Sequence, residues 1–141
     1  MKIEYRPAST GSSVAYSVLA DETDTTLVPA ISGFQPAFSL SPQVTPAYGA
    51  AVPVALDMGN ANWKLGFTVE RQHASPDAAL TFIQGEPLKF TGNQDLRITV
   101  GAQITYLANC VRTELAPDPH SDQSTRIKYV FGNGNYTQTA P

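Results

Sequence analysis

The two histidines are the first places to look for chemistry. His73 sits in "FTVERQHASPD", between Glu70 and Asp77, where an imidazole supported by a carboxylate would serve as a general base. Along an extended strand, however, Glu70 and His73 point to opposite faces. No serine or cysteine nucleophile stands in a recognisable turn nearby. An exposed turn histidine accounts for His73 as well, and Arg71 beside it reads as a solvated charge at a strand end. His120 lies in "DPHSD", so Asp118, His120 and Asp122 alternate and could present three ligands to a divalent metal from one side of a loop. The prolines flanking Asp118 and the lack of further ligands favour a plain polar hairpin loop. Asp21, Glu22 and Asp24 in "ADETD" lack the spacing and glycine of an EF-hand. "GNGN", residues 132–135, has neither the lysine nor the following helix of a phosphate loop and reads as a turn.

Cys110 is the only cysteine, which excludes an intrachain disulfide and a thiolate metal cluster. Its apolar surroundings, "ITYLANCVRTEL", mark it as a small buried hydrophobe. The expectation is a protein that is not an enzyme, with no catalytic residue, no cofactor and no metal.

The elements that would position these groups are mostly strands. "KIEYR" alternates, with Ile3 and Tyr5 on one face and Lys2, Glu4 and Arg6 on the other, and "VAYSVLA" reads as a second short strand. "WKLGFTVER" places Trp63, Leu65, Phe67 and Val69 on a core face opposite Lys64, Gly66, Thr68 and Glu70. Leu96, Ile98 and Val100 alternate up to Gly101-Ala102, a pair suited to a type II′ hairpin turn. The returning strand starts with Ile104, Tyr106, Ala108 and Cys110 in one phase and continues with Val111, Thr113 and Leu115 in the other. A bulge near Asn109 explains that shift. "STRIKYVFG" puts Ile127, Tyr129 and Phe131 on one face of a last strand. One helix interrupts the meander over about 76–84. Ser75 is its N-cap, Pro76 its first residue and Asp77 its dipole partner; Ala78, Ala79, Phe82 and Ile83 form an apolar stripe, and Gly85 and Pro87 end it.

Residues 25–56 contain no charged residue and are interrupted by Pro29, Pro36, Pro42, Pro46 and Pro53. The prolines exclude a membrane helix and a central strand, while Phe34, Phe38 and Tyr48 argue against a disordered tail. This reads as an extended arm or long loop lying on an apolar surface, either of its own domain or of a neighbouring subunit. Phe34, Phe38 and Tyr48 are its candidate interaction residues.

Composition bounds the rest. The chain of 141 residues fits one domain, here a mainly β antiparallel sandwich or barrel-like meander. Hydrophobic residues make up 42% and charged residues only 15%, which suits a protein packed against neighbours. The net charge of −3 and scattered Lys and Arg argue against a nucleic-acid partner. "MKIEYRPAST" lacks the apolar core of a signal peptide, and no membrane segment is evident, so synthesis in the cytoplasm is expected.

The order of elements from Trp63 onward resembles small β-rich proteins of the tailed-bacteriophage tail module. The residues that carry the resemblance are Thr68, Val69, Arg71 and His73; Ser75, Ala78, Ala79 and Phe82; Leu107, Asn109 and Arg112; and Tyr129, Phe131 and Gly132. They cover roughly half of the chain and are packing positions; the uncharged segment is outside the match. The resemblance implies a virion structural protein in or near the tail tip, baseplate or tail tube, made in the bacterial host's cytoplasm. Its partners would be copies of itself and other virion proteins, in a trimeric or hexameric ring built through edge strands and loops. The alternatives are a head decoration or neck protein, and a soluble β-sandwich binding a carbohydrate or other ligand.

Overall fold

In the computed structural model, which describes residues 1–8, 14–39, 43–45, 55–57, 62–119 and 122–137, the alternating segments become one antiparallel sheet. The elements in chain order are β1 (Lys2–Pro7), β2 (Ser17–Asp21), β3 (Ala30–Ser39), β4 (Gln43–Thr45), β5 (Ala55–Asp57), β6 (Asn62–Gln72), α1 (Pro76–Gly85), a 3-10 turn (Glu86–Leu88), β7 (Asn93–Val100), β8 (Gln103–Pro119) and β9 (Ser124–Thr137). Seven strands form the sheet in the order β2-β1-β7-β8-β9-β6-β3, and β4 pairs only with β5. The protein is mainly β with one short helix, as its sequence predicts.

The sheet curls on itself. Arg71 on β6 donates to the carbonyl of Leu19 on β2 at 2.7 Å, although β6 and β2 stand five places apart in the strand order. In a flat sheet that separation would be roughly 24 Å. The curled side encloses the core, with Leu65, Phe67 and Val69 from β6, Leu96 and Ile98 from β7, Leu107 and Cys110 from β8, and Ile127, Tyr129 and Phe131 from β9. Phe90 follows the 3-10 turn and fills the interior edge-on to both Tyr129 and Phe131.

Local chemistry shapes the strands. The β7–β8 turn is Gly101-Ala102, with Val100 opposite Gln103 and Gly101 at φ +60°, as a type II′ turn requires. The β8 bulge is at Asn109, which adopts φ +59°. Asp95 Oδ1 accepts the Asn109 backbone N–H, and Asn93 donates to the Asn109 side-chain oxygen, so both amide groups are satisfied at the kink. The bulge has the expected position but the opposite phase. Leu107 and Cys110 face the core, whereas Ile104 is 45% exposed and Tyr106 lies on the outer face. Apolar side chains alternate on both faces of this strand, so periodicity alone does not choose between them.

Three further expectations change. "GNGN" is no turn: Gly132 and Gly134 lie within β9, paired with Val111 on β8 and Trp63 on β6 respectively. A Cβ on Gly134 would fall 2.6 Å from Cys110 Sγ and 2.7 Å from Leu107 Cδ2, so this glycine permits a close approach of β8. Glu4 and Arg6 are buried rather than solvated. Finally, part of the uncharged segment is regular, because residues 30–39 pair along β6 as β3. Pro36 is tolerated there because β3 ends the sheet.

Candidate functional site

The histidine–arginine junction is at the end of the sheet where β6 meets α1. Inward-facing alternation on β6 runs past Val69 to Arg71 and His73, which are 2% and 8% exposed. Both departures from the sequence reading have one cause: the inner face of β6 continues under α1 instead of ending in solvent. Arg71 donates to the Leu19 carbonyl and, at 3.3 Å, to the Tyr129 hydroxyl. Tyr129 in turn donates to Glu86 Oε2 at 2.5 Å, and Lys89 pairs with the other carboxylate oxygen of Glu86. Burial pushes the Tyr129 phenol far above its ordinary range, so it stays a protonated donor. His73 Nε2 shares a 2.9 Å hydrogen bond with Thr125 Oγ1. Its ring packs on Phe82, the same ring that meets the Arg71 guanidinium at 4.8 Å and the Lys89 ammonium at 5.1 Å.

This cluster fastens the helix to the sheet. Ser75 caps α1 by accepting the Ala78 N–H, and Ala79 is buried beneath it. Among the described residues, the side chain hydrogen-bonded to His73 is that of Thr125, itself buried in β9. Glu70 lies on the other face of β6, paired with Arg126.

A second polar cluster covers the outer face of β1 and β7. Arg97 bonds Glu4 at 2.6 Å, and Lys2 pairs with the same carboxylate. Arg6 lies near Asp95, and Tyr16 is held between the guanidinium groups of Arg6 and Arg97 at 4.3 and 4.5 Å. Burial would raise the Glu4 carboxyl, but the bonds from Arg97 and Lys2 outweigh it and hold the group below its ordinary range. The stacking ties the chain ahead of β2 onto the sheet. Sequence alternation places the charges on this face but gives no sign of the aromatic cover.

At the end remote from α1 the curled sheet stays open. Phe34 and Pro36 of β3, Trp63 and Leu65 of β6, and Ile98, Val100 and Leu107 of β7 and β8 line a cleft of about 310 Å³. Among the described residues, Gln103 and Thr105 are its only polar lining residues and no charged residue lines it. Trp63 and Phe34 pack partly against the core, while Val100 remains 50% exposed. Alternation marks Trp63 as core; the opening beside it depends on how far the sheet curls, which periodicity does not report.

Of the candidate interaction residues, Phe34 lines this cleft and Phe38 stands in β3 opposite Trp63. Tyr48 and His120 lie outside the described residues. Asp118 ends β8 and Asp122 precedes β9; among the described residues no group of three His, Cys, Asp or Glu side chains could hold a metal. Cys110 is buried, and burial raises its thiol to about 12, with the Asp95 charge acting in the same direction. Comparison with known proteins adds no relative, since no protein-family model and no curated protein matches the chain.

Proposed function

We propose that this chain is a structural subunit of a tailed-bacteriophage virion, in or near the tail tip, baseplate or tail tube, and that it assembles by receiving an uncharged segment of a neighbouring copy in its apolar cleft. The observation that supports this reading most is the cleft itself, open, apolar and without a charged side chain among its described lining residues. Its lining suits an uncharged Pro-rich and aromatic stretch, and the part of residues 25–56 that follows β3, with Pro42, Pro46, Tyr48 and Pro53, is such a stretch.

The sheet edges are less suited to the task. β2 has five residues, and β3 carries Pro36, a register shift between Ser32 and Gln35, and Gly33 at φ +60°. Such irregular edges resist the addition of another strand. Assembly through the cleft therefore has the stronger physical basis.

The experiment is the copy number of the protein in purified particles, measured by quantitative mass spectrometry beside sedimentation of the isolated protein. A fixed multiple of three or six per particle, with Val100→Lys abolishing self-association while the fold is kept, is the expected result. Absence from particles overturns the virion reading. Unchanged association of Val100→Lys overturns the role of the cleft.

A further inference from the structure

We propose that His73 is an acid-sensitive latch, holding α1 against the sheet only while its imidazole is neutral. The geometry has three parts. First, His73 is 8% exposed and contacts α1 directly through Phe82. Second, its hydrogen-bond partner is the neutral hydroxyl of Thr125, so no carboxylate compensates a charge on the ring at that contact. Third, the nearest charge on its own strand is the buried Arg71 guanidinium, which opposes a second positive charge.

The facing groups can be taken element by element. β6 contributes the Arg71 guanidinium on the same inward face, two residues away. β9 contributes Thr125 and the neutral phenol of Tyr129. The 3-10 turn and the residue after it contribute Glu86, whose oxygens are occupied by Tyr129 and Lys89, and Lys89 itself. Asp122, exposed ahead of β9, lines the groove between α1 and β9 with Thr125. Asp77, in the first turn of α1, is exposed. Glu70 and Arg126 are paired on the opposite face. The buried charges are thus one cation, Arg71, and one anion, Glu86, whose oxygens are already taken up by Tyr129 and the exposed Lys89, and protonating His73 adds a second buried cation.

The direction of the response follows. Burial lowers the affinity of His73 for a proton, and the Arg71 charge lowers it further. The folded imidazole therefore titrates below its unfolded counterpart, whose pKa is about 6.5. Docking of α1 is at full strength above that value and weakens as pH falls below it. The helix is the element to yield first. It reaches the sheet through Ala79, Phe82 and the Glu86 bonds, whereas the strands share continuous ladders.

The test is amide hydrogen exchange, corrected for intrinsic rates, at about pH 7.5 and about pH 5.5. Acidification should lower the protection of the α1 amides while that of β7 and β8 is retained. His73→Gln should lose this pH dependence, and His120→Gln should keep it. Equal acid sensitivity in His73→Gln, or a uniform loss across the sheet, overturns the proposal. Should His73→Gln not fold, an NMR titration of the His73 ring in the unaltered protein decides instead. A midpoint below about 6.5 supports the latch, and one at or above it refutes it.

Discussion

Replacing Gly134 with alanine tests the curled architecture at its tightest point. The new Cβ would fall 2.6 Å from Cys110 Sγ and 2.7 Å from Leu107 Cδ2, about 1 Å inside an ordinary nonbonded contact. Cys110 is 1% exposed within the core, whereas Leu107 borders the cleft, so the collision with Cys110 is the harder of the two to relieve. Overpacking of this kind costs about 1–3 kcal/mol, which in a domain of this size lowers Tm by about 3–10 °C. Gly85→Ala is the matched control. Its backbone is at φ −82°, and an added Cβ there meets nothing within 4 Å. Alanine should stabilise that position by about 0.5–1 kcal/mol through the unfolded chain. Urea denaturation of both variants therefore reads opposite signs from one chemical change. The double variant Gly134→Ala/Cys110→Ala removes one of the two collisions, so its loss should be smaller than the sum of the single losses. A neutral Gly134→Ala, or strict additivity with Cys110→Ala, would refute the close approach of β8 and β9.

Two other outcomes follow from the polar clusters. Glu86→Ala leaves the buried Tyr129 hydroxyl proton without its acceptor and should destabilise the protein by about 1–3 kcal/mol. Combined with Tyr129→Phe it should show marked non-additivity in chemical denaturation, and simple additivity would mean the bond contributes nothing. Glu4 is held below its ordinary range by Arg97 and Lys2 despite burial. Its stabilising contribution is therefore complete above the unfolded carboxyl range of about 4.3 and is lost as pH falls through the lower folded value. Glu4→Gln should flatten the acid limb of a stability–pH profile, and an unaltered acid limb would count against the pairing.

The sequence made the local chemistry legible wherever one residue type has one use. Ser75-Pro76 marks a helix start, Gly101-Ala102 a hairpin turn, and the phase change at Asn109 a bulge, and each stands where it was expected. The readings that changed depend on which surfaces meet after the sheet curls. Arg71 and His73 carry the polarity of solvent-facing residues, yet they extend an inward alternation that begins at Trp63. Strict continuation of that period would have placed them inside, with Tyr129 and Glu86 as partners too remote in sequence to be inferred from spacing. Ile104 and Tyr106 mislead in the reverse sense, because an apolar outer face next to Tyr16 imitates a core stripe.

The two ends of the sheet show why the same rule fails in opposite directions. At the α1 end, polar residues fill the interior because a helix and a carbonyl on β2 satisfy them. At the other end, apolar residues of β3, β6, β7 and β8 line an opening. Side-chain polarity therefore identifies the faces of each strand, while closure depends on what crosses from one strand to another. A single polar contact, Arg71 to Leu19, bridges β6 to β2 at the closed end. Among the described residues, the cleft end holds no charged lining residue with which to form such a bridge. That asymmetry closes the sheet beside Arg71 and leaves an apolar surface at the opposite end.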